Sequence, residues 1–233
     1  MNASRVLLRS LAAATSFAML LAGTAARAEL VLGDLIVELQ QGKQAREDVE
    51  IWNDSPDRSF VAVEPREIIN PGLPSQSVRQ DPDPERLGIL VSPARMILEP
   101  GQRRLLRVAN LSADPAREHV YRVTVKPVVG AIQSDASGLK IMVGYDVLVL
   151  VRPARPEVNL VALRNGRSLY FSNKGNLSVE IVDGRQCARA RSNCVQLPGK
   201  RLYSGASWTV QLQSDFPAEY MVKSPDRTER RTF

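Results

Sequence analysis

Few residues in this sequence could carry out covalent or metal chemistry. The chain has one histidine, His119, and two cysteines, Cys187 and Cys194. A lone imidazole cannot build a histidine-based metal centre, and two thiols cannot complete a zinc–cysteine cluster. A Ser/His/Asp relay would have to recruit that same imidazole. The acidic residues Asp81, Asp83 and Glu85 fall in a loop rich in Pro and Asp, and read as a solvated loop rather than a pair of catalytic carboxylates. No catalytic residue, cofactor site or metal site is therefore expected, and the protein reads as a binding or structural protein, not an enzyme.

The two cysteines have a simpler use. They flank ARARSN, a polar stretch between the short apolar runs 179–182 (VEIV) and 195–197 (VQL). Such a pattern predicts a hairpin with a bridge across its base. Closing so small a loop is worth about 2.5 kcal/mol in the chain-entropy account. A redox-active pair is the alternative, but the spacing is not C-x-x-C and no helical pattern lies nearby.

A structural disulfide needs an oxidising compartment, and the first 28 residues point to one. Arg5 and Arg9 form a basic start, residues 11–21 are mostly apolar, and Ala26, Arg27 and Ala28 complete a small-x-small cleavage pattern. A retained membrane anchor is the competing reading, but the apolar run is short for a bilayer span and contains Thr15 and Ser16. Cleavage after Ala28 and a periplasmic location are the expectation, with no membrane insertion of the mature chain. The chain carries 31 basic and 25 acidic residues, and export removes three arginines, leaving 28 against 25. A net +3 gives nucleic-acid binding little support.

These residues have to be positioned by the rest of the chain, which reads as strands. With 233 residues, 44% hydrophobic side chains and charges of both signs, disorder is excluded and two ordinary domains fit. Residues 31–39 read as one apolar strand, 47–52 alternate, and 60–64 follow before the Pro/Asp loop from 70 to 84. A Pro-Gly turn at 98–101 leads into 103–109. Strand 119–125 sets Tyr121, Val123 and Val125 on one face against Arg122, Thr124 and Lys126 on the other. No stretch sustains a helical period.

The run 139–151 is the most informative. Every odd position is apolar: Leu139, Ile141, Val143, Tyr145, Val147, Val149 and Val151. The even positions turn apolar only at Leu148 and Leu150. The second half should therefore be buried on both faces, and the first half on one. Residues 153–157, with Pro153 and Pro156, read as a stiff linker. The division expected is a first domain over 29–152 and a smaller β-sandwich over 158–233.

Three segments, in this order, carry a resemblance: 91–101 (VSPARMILEPG) with 106–108 (LRV), 117–123 (REHVYRV), and the alternating run ending at Arg152 and Pro153. Together with the leader, they resemble the periplasmic pilus-chaperone family, the PapD-like proteins of chaperone–usher pathways. The resemblance implies an all-β fold of two immunoglobulin-like β-sandwich domains in a boomerang arrangement. It implies a pilus or fimbrial subunit as partner, leaves room for an outer-membrane usher, and calls for no cofactor. The mechanism implied is β-strand addition, in which the last strand of the first domain fills the groove of an incomplete subunit. On that basis Leu139, Ile141 and Val143 are the client-binding residues, and Arg107, Glu118 and Arg152, with Asp226, form an interdomain charge cluster. The family's basic pair for a subunit carboxylate falls instead on Leu35 or Ile36 and on Leu148, all apolar. Lys126 and Arg122 are the nearby substitutes. A PapD-like adaptor module that binds another envelope or surface protein without escorting subunits is the alternative function. Intact-mass analysis of the exported protein should show a Glu29 start, a loss of two hydrogens and no alkylatable thiol. A retained Met1 or two free thiols would overturn the export reading.

Overall fold

The computed structural model describes residues 30–40, 44–112, 116–128, 142–188 and 193–233. The leader, residues 1–28, and two of the client-binding positions, Leu139 and Ile141, lie outside them. The first part of the chain comprises β1 (Leu30–Leu32), β2 (Ile36–Gln40), β3 (Arg46–Asn53), β4 (Ser59–Ile69), β5 (Ser77–Arg79), a single helical turn α1 (Pro84–Leu87), β6 (Ile89–Ser92), β7 (Arg95–Leu98), β8 (Arg103–Asn110), β9 (His119–Val128) and β10 (Tyr145–Arg152). They form a four-stranded sheet, β1-β3-β8-β6, and a six-stranded one, β2-β10-β9-β4-β5 with β7 beside β4. The core between them is made by alternate residues: Val49 and Ile51 of β3, Leu106 and Val108 of β8, Tyr121, Val123 and Val125 of β9, and Val147, Val149 and Val151 of β10. This is the period-two pattern of a sheet with one face in a core.

The apolar run 31–39 is not one strand. It breaks at residues 33–35, and its halves join different sheets, β1 antiparallel to β3 and β2 parallel to β10. The Gly33 N–H still donates to Glu50 O at 2.9 Å, after which the chain crosses over. A strand that changes sheets keeps an apolar pattern on both sides of the break, so hydropathy alone cannot locate it. The helical turn α1 also falls in a stretch read as loop. Its Asp83 cap accepts from Glu85 N, and Gly88 closes it at φ 91°.

The second part of the chain contains β11 (Leu160–Asn165), β12 (Ser168–Asn173), β13 (Val179–Gln186), β14 (Val195–Leu197), β15 (Lys200–Leu202), β16 (Ser207–Gln211), β17 (Ala218–Ser224) and β18 (Arg227–Thr232). The sheets are β11-β12-β16 and β14-β13-β17-β18, with β15 beside β13. Their core centres on Phe171 and Tyr220, edge-to-face at 5.7 Å between ring centroids. Strands β13 and β14 form the predicted hairpin, closed by the Cys187–Cys194 bond. Strand β18, of sequence RTERRT, was not anticipated. It is an edge strand whose charges face solvent, which defends an edge but hides the strand from hydropathy. No helix of the described residues is long and apolar enough to cross a membrane.

Each sandwich is pinned by a fully buried asparagine at the end of a strand. Asn53 Nδ2 donates to Asp57 O (2.6 Å) and Leu98 O (3.1 Å). Asn173 Nδ2 donates to Leu177 O (2.7 Å) and Leu202 O (2.8 Å), and its Oδ1 accepts from Gly175 N at 3.0 Å. Asn173→Leu keeps the side chain's size but strands two carbonyls, each costing about 1–3 kcal/mol. Urea titration should show a loss of about 2 kcal/mol or more, and an unchanged midpoint would refute the pinning role.

Candidate functional site

The site is built around β10. On one side β10 pairs with β9 along its length, from Tyr145 opposite Val125 to Val151 opposite His119. On the other side β2 reaches it only from Leu148, opposite Ile36, to Arg152, opposite Gln40. Among the described residues, then, Tyr145, Asp146 and Val147 leave one edge of β10 unpaired. The strand starts hard against β9, since a Cβ on Gly144 would lie 3.0 Å from Lys126 Cβ and 3.1 Å from Val125 O. Val143, immediately before it, is 59% exposed. An unpaired edge with an exposed apolar residue at its head is a surface for another strand.

The far half of β10 is buried on both faces, as its sequence predicts, and the two faces enter different cores. Val147, Val149 and Val151 go into the sandwich. Leu148 and Leu150 join Val120, with Ile68 and Tyr203 packed against them, and so reach the second half of the chain. One row across the outer face of this sheet reads Ile36, Leu148, Arg122, Arg66. The two positions where the family resemblance calls for a basic pair thus lie side by side, and both are apolar. Next to them stand two guanidinium groups. Arg66 holds Asp146 through two bonds of 2.9 Å, and Arg122 Nη1 donates to Asp146 O at 3.3 Å. Lys126 is occupied by Glu64 at 2.9 Å.

At its end β10 delivers Arg152 into a buried cluster. Arg152 pairs with Glu118, donates to Ser178 Oγ at 3.2 Å and reaches Glu38 at 2.8 Å. Ser178 N and Oγ each donate to the Glu118 carboxylate at 3.2 Å, and Arg201 Nη1 donates to Ser178 Oγ at 3.3 Å. Burial pushes the Glu118 carboxyl above the usual range, and the Arg152 charge offsets part of that rise. Two of the four expected cluster residues therefore meet, Glu118 and Arg152. Arg107 does not. It alternates with Leu106 and Val108, so it projects from the opposite sheet into solvent and pairs with Asp48 at 2.7 Å. Asp226 is also elsewhere, in the exposed β17–β18 turn, bordering a groove with Pro156 and Arg227. Glu38, Ser178 and Arg201 take part instead. Glu38 and Arg152 are 114 residues apart and meet only through the parallel β2–β10 pairing.

The residues first weighed for catalysis have structural partners. His119 Nδ1 lies 2.8 Å from Glu67 Oε1, and Arg79 Nε donates to Glu67 Oε2 at 2.7 Å. Burial raises the Glu67 carboxyl, but those two bonds outweigh it and hold it below the ordinary range. Asp81 accepts from Arg86, which brings its carboxyl down to about 2. Among the described residues no group of three or more His, Cys, Asp or Glu could hold a metal ion.

Paired β-sandwiches, an unpaired strand edge and a buried charge cluster beside it define a protein-binding class. The chain belongs to the pili and flagellar-assembly chaperone family, whose PapD N-terminal domain matches residues 29–157. It is 27% identical over 204 residues to a CS1 fimbrial protein of Escherichia coli, covering 82% of this chain and 84% of that one. In fold it is similar to the class 5 fimbriae chaperone CfaA (21% identity, TM-score 0.64, 87% of this chain and 98% of that one). It is also similar to the SafB chaperone of Salmonella enterica in complex with SafA pilin (16% identity, TM-score 0.63, 90% and 98%).

Removing one member of the buried pair leaves the other charge unpaired, at a cost of about 3–5 kcal/mol, whereas an apolar pair of similar volume can be neutral. Arg152→Ala should therefore lower stability strongly, and the double replacement Arg152→Met with Glu118→Leu should recover most of the loss in denaturant titration. Equal losses in both variants would show that the cluster does not act as a charge pair.

Proposed function

We propose that the protein is a periplasmic chaperone for strand-deficient pilus or fimbrial subunits, and that it holds them by strand addition. The observation that supports this best is the unpaired edge of β10 at Tyr145–Val147, continuous with Val143 and with Leu139 and Ile141 ahead of it. Odd positions from 139 to 151 share a face, so Leu139, Ile141 and Val143 extend the side that β10 turns toward its own core. A subunit whose sandwich lacks a strand offers the apolar pockets that this stripe fits.

Several finer features belong to the same proposal. Export ends with cleavage after Ala28, residues 29–152 and 158–233 form the two domains, and 153–157 join them. Glu118 and Arg152, with Glu38, Ser178 and Arg201, set the angle between the domains. Arg122 and Arg66 share the single carboxylate of Asp146, so this pair can take a carboxylate of the subunit where Ile36 and Leu148 cannot. An outer-membrane usher is a further partner.

The subunit contact rests on apolar burial. Each stripe residue is worth about 1.5–3 kcal/mol when fully covered, equivalent to roughly 10-fold to 100-fold in affinity. Ile141→Asp should abolish co-purification of a subunit from the periplasm and leave the chaperone folded, while Lys140→Ala should change little. Normal subunit recovery with Ile141→Asp would dismiss strand addition and favour the adaptor reading.

A further inference from the structure

The joint between the two sandwiches contains a second device, separate from the charge cluster. Asn176 lies in the loop between β12 and β13 and makes bonds to three stretches of chain. Its Nδ2 donates to Ala116 O at 3.1 Å and to Arg155 O at 2.9 Å. Its Oδ1 accepts from Glu157 N at 2.7 Å. Its own N–H donates to Glu157 O at 3.1 Å, and its carbonyl accepts from Glu118 N at 2.9 Å. One residue thus ties the first sandwich, at Ala116 and Glu118, to the linker, at Arg155 and Glu157, and to the second sandwich that carries it.

The backbone beside it is fitted to this arrangement. Lys174 N donates to Asn159 O at 2.7 Å, so the end of the linker lies along residues 174–176. A Cβ on Gly175 would collide with the Glu157 carbonyl oxygen and lie 2.9 Å from Asn159 N, so only glycine lets the linker approach so closely. The loop itself is held from below by the buried Asn173, through its bonds to Gly175 N and Leu177 O. A rigid loop carries the pin, and the linker is pressed onto it.

We infer that Asn176 is a positioning residue that locks the linker and the first sandwich to the second, and so sets the geometry of the cleft in which Tyr203 covers Leu148 and Leu150. Only its consequence for subunit capture rests on the function proposed above. Two sandwiches joined by a short linker and a small apolar contact would otherwise move relative to one another. Asn176 restricts that motion with uncharged bonds, where the cluster does so with charges.

The experiment uses the full mature chain with spin labels on Arg58→Cys and Asp215→Cys, read by pulsed dipolar spectroscopy, together with amide exchange. Asn176→Ala should broaden the interdomain distance distribution. Asn176→Asp keeps the acceptor for Glu157 N–H but loses both donors, so it should broaden the distribution while Glu157 N–H stays protected. Exchange at Glu118 N–H should speed up roughly tenfold in both variants, the equivalent of two ordinary hydrogen bonds. Near-UV circular dichroism establishes that each variant is folded. If Asn176→Ala does not fold, Asn176→Asp alone decides. An unchanged distance distribution in a folded variant overturns the inference. A broadened distribution supports it whatever happens to subunit capture, and unaltered capture alongside it would count only against the cleft as part of the subunit site.

Discussion

The double burial of β10 is the constraint on which the rest of the structure depends. Most strands at the edge of a sandwich bury one face and leave the other to solvent. Here Val147, Val149 and Val151 fill the core of the first sandwich, while Leu148 and Leu150 pack with Val120, Ile68 and Tyr203. Arg152 then carries the same strand into a buried charge cluster, and Pro153 ends its pairing. One strand therefore links an open edge, a cleft floor and a joint. A change in its register would move a whole set of side chains to the wrong face.

This arrangement explains how an exposed edge can be tolerated. An unpaired strand edge is a hazard unless it is short, and β2 covers β10 from Leu148 onward. The uncovered portion is held flush by Gly144 and by Tyr145, whose hydroxyl donates to Leu30 O at 2.8 Å. The edge is thus presented on a rigid support, which lowers the ordering cost of adding a partner strand.

The joint balances charge against neutral contacts. Glu118 is buried and its carboxyl is raised, so the Arg152 pairing offsets a desolvation cost more than it adds stability. Its value is directional: guanidinium, carboxylate and the Ser178 hydroxyl must meet in one geometry. Asn176 adds bonds that carry no desolvated charge, and the apolar contact of Tyr203 supplies area. Each alone is small beside the surface of either sandwich.

Much of this was legible in the sequence because burial leaves a period. The alternation from 119 to 125 and from 139 to 151, the change to apolar on both faces at Leu148, and the turn at Gly101 all announced themselves, as did the hairpin closed by Cys187 and Cys194. Pairing partners left no such trace. The split of residues 31–39 between two sheets, the outward direction of Arg107, and the meeting of Glu38 with Arg152 depend on which strands become neighbours. The same holds for β18, whose charged residues satisfy an edge strand and a loop equally well. Asn176 had no sequence signature at all, since its bonds run to backbone atoms 60 and 21 residues away. Local pattern determined which residues face a core. Only the tertiary structure decided which core, and which side chains meet at the joint, because those contacts are set by long-range strand pairing and not by spacing along the chain.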